Sequence, residues 1–140
     1  MTTLHLGVVD IAYAIGGKSA TTGQVAGILE ANYGVMRTFL ELHEQEIADA
    51  IAKQFVGMLE NAKMGAPLNI GVVMFPEISA AFAEYLDTGE WEATSGQPTA
   101  AALGGHRHSH KSVTANGKGA RPSFIDTGTY RNSMQAWMTK

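Results

Sequence analysis

Four short stretches of this 140-residue chain carry side chains that could do chemistry. Ala12-Tyr13-Ala14-Ile15-Gly16-Gly17-Lys18-Ser19 matches a relaxed phosphate-binding loop, with Ala in place of the first Gly. There, backbone N–H groups would cradle phosphates, Lys18 would reach the terminal ones and Ser19 would hold Mg²⁺. Thr21-Thr22-Gly23 interrupts the helix that should begin at Lys18, and the one later apolar strand candidate, residues 70–75, ends in Pro76-Glu77 rather than in Asp. A Gly-hinged loop is the plainer reading. His43-Glu44-Gln45-Glu46-Ile47 resembles the start of a zinc-protease helix, but Ile47 stands where the second His ligand belongs. His106, His108 and His110 would share one side of an extended strand and could bind Zn²⁺, yet their neighbours are Gly, Arg and Lys with no carboxylate to orient the rings. Asp126-Thr127-Gly128 is the triplet of aspartic proteases, but only 12 residues follow it, too few for the second strand system of that fold. No catalytic residue, cofactor or metal ligand set is expected from these stretches.

The elements that would position these residues are mostly helical. Residues 32–62 show the longest helical pattern, with Met36, Leu40, His43, Ile47, Ile51, Phe55, Met58 and Ala62 on one stripe. Without a break that helix would be about 45 Å long, so it would need burial on other segments or on neighbouring copies. A short helix over residues 24–32, capped by Thr22, precedes it, and Gly34 marks a kink or break between the two. Gly65-Ala66-Pro67 closes the long helix. Residues 68–75 read as a strand or packed loop. Ile78, Phe82, Tyr85 and Leu86 then give a second amphipathic helix that starts at Pro76 and ends near Thr88-Gly89. Residues 4–11 read as a strand or an extended arm. The expected class is mainly α, with α+β as the alternative: one long amphipathic helix, a second packed helix, a few short strands and extended Gly-rich arms. A single domain spans 1–140, divided into an N-terminal arm (1–23), a helical body (24–89), an extended basic arm (90–123) in which Trp91 is a lone anchor and residues 98–103 form at most one or two helical turns, and a C-terminal motif (124–140).

Composition narrows the function classes. The chain has no cysteine, which excludes disulfides and thiolate metal sites. No apolar run reaches the roughly 18 residues of a membrane span, and the N-terminus lacks a signal-type core, so a soluble product without membrane partners is expected. Residues 1–102 hold 4 Lys or Arg against 12 Asp or Glu, whereas residues 103–140 hold 6 against 1. An acidic body with a basic tail suits head-to-tail contact between identical subunits. Arg107, Lys111, Lys118 and Arg121 could also meet nucleic acid, a partner the composition allows but does not favour.

The last stretch reads Arg121-Pro122-Ser123-Phe124-Ile125-Asp126-Thr127-Gly128-Thr129-Tyr130-Arg131-Asn132-Ser133-Met134-Gln135-Ala136-Trp137. Asp126 or Thr127 can cap a short helix starting near Gly128, with Tyr130, Met134 and Trp137 on one face; a strand from 133 to 139 is the alternative. The form Pro-x-x-Ile-Asp-Thr-Gly-x-x-Arg-x-Ser, on Pro122, Ile125, Asp126, Thr127, Gly128, Arg131 and Ser133, resembles the signature of neck or tail-completion proteins of tailed bacteriophages. In that family the motif usually lies early and is followed by strands of a small sheet; here it closes the chain. The resemblance implies a non-enzymatic virion protein, assembled in the host cytoplasm, that forms a homo-oligomeric ring at the head–tail junction and contacts other neck or tail proteins. Phe124, Tyr130 and Trp137 would then anchor contacts between subunits. The alternatives are a small nucleotide-binding protein using Gly17, Lys18 and Ser19, or a DNA-contacting assembly module.

Overall fold

The computed structural model describes residues 2–15, 18–96 and 129–140. The chain forms β1 (Thr3–Val8), β2 (Ala12–Ile15), β3 (Lys18–Thr21), α1 (Thr22–Tyr33), α2 (Val35–Leu42), α3 (Glu44–Lys63), β4 (Val72–Met74), α4 (Pro76–Asp87), α5 (Glu90–Ser95), α6 (Thr129–Asn132) and β5 (Met134–Thr139). The molecule is mainly helical, with one small antiparallel sheet of order β1-β5-β4 and a separate β2–β3 hairpin, in keeping with the class read from the sequence. The last strand, β5, is the central one. It pairs with β1 from Thr3↔Thr139 to Val8↔Met134 and with β4 from Val72↔Thr139 to Met74↔Trp137. Within the stretch expected as an N-terminal arm, β1 supplies an edge of the sheet and β2 and β3 form the hairpin.

Strand alternation sorts the sheet into two faces. Met134, Ala136 and Val73 are buried and Leu4, Leu6, Val8 and Met138 pack against them. Helix α4 lies over this face and buries Ile78, Phe82, Tyr85 and Leu86. Pro76 sits in its first turn, where its missing N–H costs nothing. The core continues through Phe39, Val35, Val25, Ala26 and Leu29 of α1 and α2 to Trp91 and Tyr130. Phe39 meets Phe82 edge-on at 5.1 Å between ring centroids, the arrangement aromatic quadrupoles favour.

The continuous rod expected over 32–62 is broken twice, into the end of α1, α2 and α3. Gly34 adopts φ +60°, ψ +41°, a left-handed conformation that ends α1 and turns the chain into α2. The Glu30 carboxylate reaches over this turn and accepts the N–H groups of Met36 (2.7 Å) and Arg37 (3.3 Å), capping α2. The second break falls at His43, at φ −110°, ψ +21°. Its ring is held by Glu46 and by Glu90 of α5. α3 alone has 20 residues, about 30 Å. Thr21, not Thr22, caps α1, in a capping box with Gln24. Met64 is the C-cap of α3, with Gly65 beyond it at φ +95°. The arm expected from residue 90 begins instead as helix α5, because Trp91 is buried and its indole N–H donates to the Tyr33 carbonyl at 3.1 Å.

Candidate assembly interface

The described part of the C-terminal motif acts first within its own chain. Arg131 Nε donates to Asp87 Oδ1 at 2.6 Å, and Nη2 donates to Oδ2, a bidentate pair at the C-terminal end of α4. The Arg131 hydrogen bonds hold the Asp87 carboxyl below the usual carboxylate range. Ser133 ends α6: its hydroxyl donates to the Tyr130 carbonyl at 3.0 Å, and its own carbonyl accepts the Val9 N–H at 2.7 Å, the first rung between β5 and the β1 side. Tyr130 is buried against Phe82, and burial pushes its phenol well above the usual range. Tyr130 and Ser133 are both buried within their own chain. Tyr130, Met134 and Trp137 do not share a face, because residues 134–139 form the strand alternative and Trp137 points away from Met134.

Trp137 lies on the outer face of the sheet. Its ring stacks on His5 at 5.3 Å and 13°. His5 Nε2 is 2.8 Å from Thr139 Oγ1. A Cβ at Gly7 would come within 2.9 Å of the Trp137 ring, so the indole lies directly over this glycine. Val72 and Met74 of β4 are exposed on the same face. Leu68 and Ile70 of the preceding loop, and Val56, Leu59 and Met64 toward the end of α3, are also exposed apolar side chains.

The hydrogen-bond pattern fixes which backbone groups β4 leaves open. Phe75 N–H donates to the Ala136 carbonyl at 2.9 Å. Pairs alternate along an antiparallel ladder, so Val73 faces β5 while the N–H and C=O of Val72 and Met74 point outward. At the end of the strand Ser79 Oγ takes the Ala136 N–H at 3.2 Å, in place of a Phe75 carbonyl that already accepts the Ser79 N–H. The same argument applies to the hairpin. Thr22 N–H donates to the Ile11 carbonyl at 3.0 Å, so the backbone groups of Ala12 and Ala14 point away from β3. The hairpin base is clamped: buried Thr22 donates its hydroxyl to the Val9 carbonyl and accepts the Ile11 N–H at 2.7 Å, and Asp10 accepts the Gly23 N–H at 2.9 Å.

The hairpin also corrects the phosphate-loop expectation. Ile15 pairs with Lys18, and Ser19 lies in a strand paired antiparallel with Ala14. The strand–loop–helix context that would aim backbone N–H groups at a phosphate is not formed. Gly-Gly between two short runs was the available hairpin signal. His43 is half-buried, with Nδ1 2.7 Å from Glu46 Oε2 and Nε2 2.9 Å from Glu90 Oε2. Burial works against its charged form, but the hydrogen bonds from Glu46 and Glu90 outweigh it and raise the pKa. With both ring nitrogens engaged, the imidazole offers no free nitrogen to a metal or substrate. Among the described residues no three His, Asp or Glu side chains converge as a metal site, and no helix is long and apolar enough to cross a membrane.

Gly17, Arg107, Lys111, Lys118, the histidines 106, 108 and 110, residues 98–103, and the motif residues Arg121, Pro122, Phe124, Ile125, Asp126, Thr127 and Gly128 lie outside the described residues. The Asp87–Arg131 pair and the Gly7–Trp137 contact escaped sequence reasoning. A Gly in an alternating strand hints at close approach, but nothing in the sequence names the partner. Comparison with protein-family models, curated proteins and solved structures finds no match.

Proposed function

We propose that this chain is a non-enzymatic structural subunit of a tailed-bacteriophage virion, of the neck or tail-completion type, working as a ring of identical copies where head meets tail. One observation carries the reading. The described end of the motif, Arg131 and Ser133, lies in α6 and at its junction with β5, the central strand of a small antiparallel sheet. The sheet keeps an open, apolar edge at β4, a surface that a soluble monomer would ordinarily blunt. The acidic body and the basic final third favour contacts between copies and with other neck or tail proteins in the particle.

Size-exclusion chromatography with light scattering, followed by electron microscopy of the purified protein, tests this. A closed ring of one mass is the expected result. A monomer that takes up stoichiometric Mg²⁺–ATP or Zn²⁺ would overturn it.

A further inference from the structure

Among the described residues the outer edges of β1, β4, β2 and β3 carry no strand partner; β1 lies beside α1 and β3 begins with a guarding Lys18, which leaves β4 and β2, in different sheets, as the unguarded edges. On β4 the outward groups are those of Val72 and Met74; on β2 they are those of Ala12 and Ala14. We infer that β2 of one copy adds to β4 of a second copy, joining the hairpin of the first to the sheet of the next in a continuous sheet of order β1-β5-β4-β2-β3. The inference rests on the ring reading above and names the contact that would build it.

Three observations select a second copy as the occupant. The open residues are spaced by two on both strands, so an antiparallel register that sets Val72 against Ala14 and Met74 against Ala12 satisfies the outward N–H and C=O groups of both. A hairpin isolated from any sheet is marginal in water and needs a third strand, which its own sheet does not supply because β2–β3 stands apart from β1-β5-β4. Neither strand carries the Lys, Glu or Pro that natural edges use against pairing: β4 reads Val-Val-Met and β2 reads Ala-Tyr-Ala-Ile. Exposed Val9 and Ile11 beside β2 face the same need for cover as exposed Val72 and Met74. The Thr22 and Asp10 clamp holds the hairpin base against α1, so the strand is presented in a fixed direction. Two different patches meeting make a heterologous contact, the kind that closes into rings.

Proline substitution tests this with little disturbance, because Pro at an outward position removes only a donor that the monomer does not use. Val72→Pro and Ala12→Pro should each remain folded by circular dichroism and each weaken self-association by about tenfold or more. Mixed together they should form one-to-one heterodimers, since each retains the edge the other lacks. Val72→Lys, which adds a guarding charge without touching the backbone, serves if a proline variant does not fold. A wild-type ring that both prolines leave intact would overturn the inference and leave the ring reading standing. Two monomeric variants that fail to pair when mixed would also overturn the inference. A wild type that stays monomeric at every concentration would overturn the ring reading itself, and the contact with it.

Discussion

Helices α3 and α4 pack side by side, yet they do different work. α4 has 12 residues and buries four of them almost completely: Ile78, Phe82, Tyr85 and Leu86. α3 has 20 residues and buries only Ile47. Ile51, Phe55 and Met58 reach the core in part, while Val56 and Leu59 stay more than half exposed. Each fully buried aliphatic or aromatic side chain contributes about 1.5–3 kcal/mol, so the shorter helix carries much more of the fold. The longer one leaves apolar side chains, Val56 and Leu59, facing outward. Length and amphipathic pattern therefore do not rank the helices by their weight in the monomer; the element that covers the central strand does.

The widest separation between the two regions should appear at Phe82. It is fully buried among Phe39, Tyr85 and Tyr130. Phe82→Ala should cost about 3–5 kcal/mol in urea unfolding, enough to remove most of the stability of a domain this size. Next comes the sheet that α4 covers. Gly7→Val puts a branched side chain where a single Cβ already comes within 2.9 Å of the Trp137 ring. The indole must swing off His5, at a cost of about 1–3 kcal/mol, and the intrinsic tryptophan fluorescence should shift with it. If Gly7→Val were silent in both measurements, the outer face of the sheet would belong with α3 rather than with the core.

The sequence made the α4 region legible and the β5 region much less so. Steps of three and four at Ile78, Phe82, Tyr85 and Leu86, with Pro76 in front, identify α4 almost to the residue. The same rule merged α2 and α3, because Gly34 was visible as a break but His43 was not. The His43 ring at that break is held partly by Glu90, 47 positions away. The pairing of β5 with β1 is the longest-range feature of the fold, joining Thr3 to Thr139. Alternation indicates that such strands exist; it cannot say which strand lies between which. The site was legible only as a motif. Its role in the monomer depends on Asp87, whose identity as the Arg131 partner no local pattern encodes.

His43 is the joint between the two regions, and its titration gives a weaker but sharper test. Its folded pKa lies above the ordinary value of 6.5, because Glu46 and Glu90 favour the imidazolium more than burial opposes it. The stabilisation is therefore complete below the unfolded value, provided the carboxylates are ionised, and is lost as pH rises through the folded one. The Tm difference between wild type and His43→Gln should be largest near about pH 5.5–6 and should shrink toward pH 8. A difference that stays flat across that range would mean that His43 acts by packing on Phe39 and Tyr85 alone.

The smallest effect is expected on the exposed side of α3, and it completes the contrast with Phe82. Val56 and Leu59 are 53% and 55% exposed, and no hydrogen bond of the monomer depends on them. Val56→Ser and Leu59→Ser should each change monomer stability by no more than about 0.5 kcal/mol, the usual range for open surface positions. Measured at concentrations where copies associate, the same substitutions should weaken association, because an apolar surface of this kind contributes only when a partner covers it. Denaturant unfolding of the dilute protein and sedimentation of the concentrated protein separate the two effects. A large loss of monomer stability from Leu59→Ser would show that α3 is held by its own chain as firmly as α4, and the division drawn between the two helices would fall.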